Sequence, residues 1–299
     1  MKRKIQPSPD TMKEWIKTYI PDKDLFFLTE TNFASFTEHV RGALVIPHEE
    51  FKNHSSYKQV QLANSYEYWN LSKDVAYVFV TPPGWVNHLP AEKKIELFHI
   101  QVAVGRGLIH PISNFSGDTS SLHNNVVEMK GEKYAVFHKA MWEELSYRCK
   151  KELITDIAQD WEEWTCYDVP TLTPPHLLPF ANTFPSRAGS NCLSATLFAI
   201  TQQEWIVHEW VHPQTFLQRL ELEDYHVIPD QDLIAGDVVT WENEDGIIQH
   251  ASYCIDGQFF FNKRGQTFFN AWSIVHLDDL REDWGHYHTK TFRKAESIQ

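Results

Sequence analysis

Residues 247–255 read IIQHASYCI and residues 258–262 read QFFFN, with Asp256-Gly257 between them. Two strand-length runs rich in aliphatic and aromatic residues, joined by Asp-Gly, spell a β-hairpin. Alternation along the first run puts Ile248, His250, Ser252 and Cys254 on one face. Ile247, Gln249, Ala251, Tyr253 and Ile255 fall on the other. Further strand-like runs flank the hairpin at 236–241 (GDVVTW), 267–275 and 287–292, with turn signals at Glu244-Asp245-Gly246 and Lys263-Arg264-Gly265. The spacing predicts an antiparallel sheet.

Upstream of that sheet, residues 192–202 (CLSATLFAITQ) read as a buried helix opened by Ser190-Asn191. A second helix begins at Pro213, with Phe216, Leu217 and Leu220 on one face. Before them lies a passage holding Pro170, Pro174, Pro175, Pro179 and Pro185, which can be neither a long helix nor a central strand. It reads as a connection between two halves. The first half mixes patterns: a helix over 10–19 capped by Asp10, a strand over 74–80, a helix over 91–104 stopped at Gly105-Arg106-Gly107, and helical periodicity from 132 to 164. The expectation is an α+β protein, with an N-terminal α/β region over 1–165 and a second domain over 166–299.

Composition narrows the function classes. The chain has 299 residues, 42% hydrophobic, with 11 Trp and a net charge of −13. Such a chain can bury a substantial core and is too apolar for disorder. Residues 1–150 carry a net charge of +1 and residues 151–299 a net charge of −14. An acidic half repels nucleic acid and anionic lipid, so neither is expected as a partner. No stretch suits a membrane span, and the start lacks the apolar core of a signal peptide, so a cytoplasmic location is expected. Four widely spaced cysteines without CxxC point to free thiols rather than a disulfide framework or zinc ribbon.

One constellation carries chemistry. Cys192 stands where a helix begins, and a helix N-terminus favours a thiolate through its free N–H groups. A thiol nucleophile needs a base, and His250 lies in the strand facing inward beside the small Ala251 and Ser252. The base needs a third polar group to orient it, and the hairpin folds Asn262 back toward His250. Cys192, His250 and Asn262 are therefore the candidate catalytic residues. Gln249 and Ser190 are lesser candidates for polar support.

On these residues the second half resembles the NlpC-type cysteine peptidases, a circularly permuted branch of the papain-like fold. The matching pieces are Asn191-Cys192-Leu193-Ser194, Gly236-Asp237-Val238-Val239, His250-Ala251-Ser252-Tyr253 and Phe261-Asn262, in the family's order over about residues 185–295. The family usually has Asp-Cys-Ser-Gly at the nucleophile, where this chain has Asn-Cys-Leu-Ser. The resemblance implies a papain-like domain with a Cys-bearing helix packed on an antiparallel sheet. It also implies amide hydrolysis of a small peptide or amide substrate through an acyl-enzyme, with no metal or organic cofactor. Its relatives include acyltransferases, and a catalytically inactive binding module on the same fold is a further alternative.

A second motif competes. His208-Glu209-Trp210-Val211-His212 matches the HExxH pattern of zinc hydrolases, which needs both His on one helical turn. Pro213 follows at once and pushes His212 out of the helical region, so a zinc hydrolase is the minor reading.

Overall fold

The computed structural model describes residues 2–229 and 231–295. The chain forms two compact units, residues 13–160 and residues 1–12 with 161–299. The division falls at 160 rather than 165. The first twelve residues join the second unit because Lys2–Lys4 pairs antiparallel with Thr165–Tyr167. The class is α+β.

In the unit of residues 13–160 both sheets are antiparallel. Asp24–Thr29 and Leu44–Pro47 flank Val75–Thr81, and Ile109–Pro111 and Val126–Met129 flank Glu132–Val136. Helical periodicity was expected from 132, yet 132–136 is a strand. Lys130 and Gly131, both with positive φ, turn the chain so that Met129 faces Glu132, and this hairpin overrides the pattern. The helices Lys139–Glu144 and Tyr147–Trp161 follow it. The first helix of the chain spans Pro9–Thr18, and its cap is Ser8, whose hydroxyl accepts the Thr11 N–H at 3.0 Å; Asp10 lies inside the first turn. Helix Ala91–Ala103 stops as expected, with Gly105 at φ +73°. The buried Arg106 guanidinium then donates to the carbonyls of Leu25 and Phe137.

The unit that holds the candidate residues is numbered here in chain order. Strands β1 (Lys2–Lys4) and β2 (Thr165–Tyr167) are followed by helices α1 (Cys192–Thr201) and α2 (Pro213–Leu222). Then come β3 (Tyr225–Ile228), β4 (Val238–Glu242), β5 (Ile248–Cys254), β6 (Phe259–Lys263) and β7 (Trp272–His276). Helix α3 (Leu277–Trp284) and β8 (His288–Lys294) close the unit. The sheet is six-stranded and antiparallel in the order β7-β6-β5-β4-β8-β3.

Helix α1 is apolar all round, as suits a helix covered on every side. Its Leu193 and Leu197 pack with Val238, Ala251 and Phe292, and its Ala195 and Phe198 pack with Phe261, Trp272 and Ile274. The opposite face of the sheet carries Val239, Trp241, Cys254, Phe260 and Val275, packed with Leu280 and Trp284 of α3. The proline-rich passage belongs to this unit: it forms a short 3₁₀ turn, Pro175–Leu177, whose Leu177 is buried among α1 and sheet residues.

Candidate functional site

The start of α1 is built by its cap. Asn191 takes an extended conformation (φ −130°, ψ −178°), and its Oδ1 accepts the Ser194 N–H at 2.9 Å. Ser194 Oγ accepts the Asn191 N–H at 3.0 Å, closing a capping box. Asn191 Nδ2 also donates to the Val211 carbonyl at 2.7 Å, and Trp272 Nε1 donates to Ser190 Oγ at 3.0 Å. Cys192 is thereby fixed as the first helical residue, partly exposed.

Its thiol does not behave as the helix-start argument expects. Burial pushes it up to about 11, although the N–H groups of Ala251, Leu193 and Cys192 itself face the sulfur and oppose the rise. Desolvation outweighs the helix-start donors, so in the free protein the thiol is protonated at neutral pH.

His250 and Asn262 meet as the hairpin register requires. The ladder between β5 and β6 runs through Tyr253↔Phe261 and Cys254↔Phe260, and His250 Nε2 lies 2.7 Å from Asn262 Oδ1. Ser252 Oγ donates to the same oxygen at 2.6 Å. An amide oxygen only accepts, so Nε2 carries the ring proton and Nδ1 is the basic nitrogen. The ring is 1% exposed and lies parallel to the Trp284 indole, with Trp241 at its edge. Burial pulls its pKa down to about 4, opposed by the Asn262 bond and helped by the Arg264 charge.

The alternation of β5 is as expected from His250 to Cys254, but the His250 face is not the helix face. Trp241 pairs with His250 and belongs to the cluster beneath α3, whereas Ala251 packs beneath α1. Ile248, expected beside His250, packs with Ala251 because the β4–β5 register shifts at Trp241/Glu242. Cys192 and the imidazole thus approach the sheet from its two faces. Among the described residues no hydrogen bond joins them.

The link between them runs along β5, where Ala251 follows His250. The Cys254 N–H bonds Asp237 on the β4 side and the Ile255 N–H bonds Phe259 on the β6 side, so alternate N–H groups, Ala251 included, point toward β6. At Ala251 the β5–β6 ladder has ended. Its N–H meets the Cys192 sulfur instead, one residue from His250.

The zinc-hydrolase pattern is not helical. Glu204–His208 is a 3₁₀ segment, Glu209 and His212 are extended (φ −91°, ψ 156° and φ −90°, ψ 154°), and Pro213 opens α2. The two imidazoles therefore do not share a helical turn. Among the described residues no group of three or more His, Cys, Asp or Glu side chains could hold a metal. Of the other cysteines, Cys166 and Cys254 are buried and Cys149 is partly exposed. No described helix is long and apolar enough to cross a membrane.

Two residues escaped the sequence reading: Trp284, which covers the imidazole, and Lys263, expected in a turn but fully buried at the end of β6; Ser252, expected only as a small neighbour of His250, braces Asn262. The period-two pattern pairs Ser252 with His250 and could have flagged it. Trp284 arrives from a helix beyond the sheet, and no local spacing announces it. No family model, curated protein or solved structure matches this chain.

Proposed function

We propose that the chain is a cysteine-dependent amide hydrolase of papain-like type, in which Cys192 is the nucleophile, His250 the base and Asn262 the orienting group. The observation that carries this reading is the contact at the end of the β5–β6 ladder. There the Cys192 sulfur meets the Ala251 N–H, while the adjacent His250 is held through Nε2 by Asn262 at 2.7 Å. Thiol and imidazole are both neutral at pH 7, given values near 11 and 4. The chemistry is therefore general-base attack rather than a standing ion pair. As the sulfur attacks the carbonyl carbon, the thiol proton goes to Nδ1 of His250, a transfer that requires the ring to turn out of its stack on Trp284 toward the sulfur. The imidazolium returns it to the leaving amine as the C–N bond breaks. Water then attacks the thioester, His250 takes its proton, and the acid leaves with the thiol restored. The N–H groups at the start of α1 are suited to the developing oxyanion. The substrate class is a small peptide or amide, and an amine could replace water as the acceptor.

The test is acyl-enzyme trapping. Full-length protein is mixed with a panel of N-acyl amino acid p-nitrophenyl esters, quenched in acid and weighed by mass spectrometry. One acyl adduct on the Cys192 peptide is expected, absent in Cys192→Ala and formed at least tenfold more slowly in His250→Gln, as loss of a general base predicts. Equal adduct formation in wild type and His250→Gln overturns the reading.

A further inference from the structure

Lys263 is wholly buried, with 0% exposure, an arrangement that lysine side chains rarely adopt without partners. It ends β6 two residues after Phe261, so both share the face covered by α1. Its cross-strand partner is Trp272, whose indole bonds Ser190, two residues before Cys192. The ammonium thus enters the helix-facing layer at the level where α1 begins. It donates to the carbonyls of Thr267 and Asn270 at 2.9 and 2.8 Å, which fixes its position. Carbonyls supply no compensating charge. The acid that acts on it is Glu162, engaged by Asn270 Nδ2 at 2.7 Å and itself shifted upward by burial.

We propose that Lys263 is a positioning residue for the Cys192 sulfur, a buried ammonium that, when protonated, stabilises the thiolate while it is formed and re-formed. The proposal rests on the reading of Cys192 as nucleophile. Lys263 and Cys192 each favour the charged form of the other. In a site that desolvates the sulfur, a buried cation opposes the loss of solvation without touching the substrate. Loop tethering alone would need only the two carbonyl bonds. A thiolate partner gives a reason for the charge to be a cation held on the helix side of the sheet.

The test reads the sulfur directly. Carbamidomethylation of Cys192 by iodoacetamide is followed by peptide mass spectrometry between pH 5.5 and 9 in the full chain. Lys263→Met is expected to slow labelling at pH 7 about tenfold, equivalent to one unit of thiol pKa, and Lys263→Arg to restore most of it. A folded Lys263→Met protein that labels at the wild-type rate overturns the proposal. If neither substitution folds, the wild-type profile decides. Lys263 is brought down to about 7 by burial, so labelling should show a second inflection near that pH. Besides the pair itself, Glu162 acts on Lys263, and burial shifts its carboxyl upward. A profile with one ionisation from pH 5.5 to 9 overturns it. If acyl-enzyme forms but labelling ignores Lys263, only this inference falls. If labelling responds to Lys263 but no acyl-enzyme forms, the hydrolase reading falls instead.

Discussion

The imidazole of His250 lies flat against the indole of Trp284, ring centroids 4.4 Å apart and planes within 2°. The stack keeps water from one face of the ring, and burial is the largest cause of its lowered pKa. Trp284→Ala should move the His250 titration from about 4 toward the ordinary value near 6.5, read from its Cε1 proton by NMR. Loss of the aromatic contact should also cost about 1 kcal/mol of stability in urea denaturation. A His250 that still titrates near 4 in this variant shows that the surrounding sheet, not the indole, does the shielding.

Acid should weaken the fold already above the ordinary carboxylate range. His250 and His138, both buried, and the partly buried His110 are held at about 4, 3 and 4, below the unfolded value of 6.5. A depressed histidine favours folding above pH 6.5, and that advantage disappears as pH falls toward its folded value. Each group contributes about 1.4 kcal/mol per pH unit through that window. Asp24, raised to about 6 by burial, acts in the opposite sense and offsets part of it. Urea midpoints should fall between pH 6.5 and 4.5, and His250→Gln should flatten the fall for the unit of residues 1–12 and 161–299. A flat stability profile over this range contradicts the assignment.

Asn191→Ala removes the capping box and the bond to Val211 together. The expected cost is about 1 to 2 kcal/mol, seen as a lower melting temperature. The thiol should also lose the fixed N–H groups that oppose its rise, slowing labelling of Cys192. Lower stability with unchanged labelling would separate the cap from the site.

Asn262→Asp places a carboxylate where Oδ1 lies 2.7 Å from His250 Nε2. An anion at that distance favours imidazolium, so the His250 pKa should rise by one unit or more. Asn262→Ala instead leaves Nε2 buried without a partner and should cost about 1 to 3 kcal/mol. NMR titration and denaturation of the two variants distinguish orientation from charge.

Local sequence carried much of this. Asp256-Gly257 and the runs beside it imposed the hairpin, and the hairpin imposed the His250–Asn262 contact, because a tight turn leaves one register for the strands it joins. Ser190-Asn191 marked the helix start for the same reason, since the cap that Asn191 makes with Ser194 is a contact over three residues. Long-range packing settled the rest. Which face of β5 meets α1, the Trp284 cover, the buried Lys263 and the return of residues 1–12 to the second unit all depend on elements distant in the chain. The protonation of Cys192 belongs with them: helix position favours the anion, but the balance turns on how much water the surrounding core removes, and periodicity does not encode that.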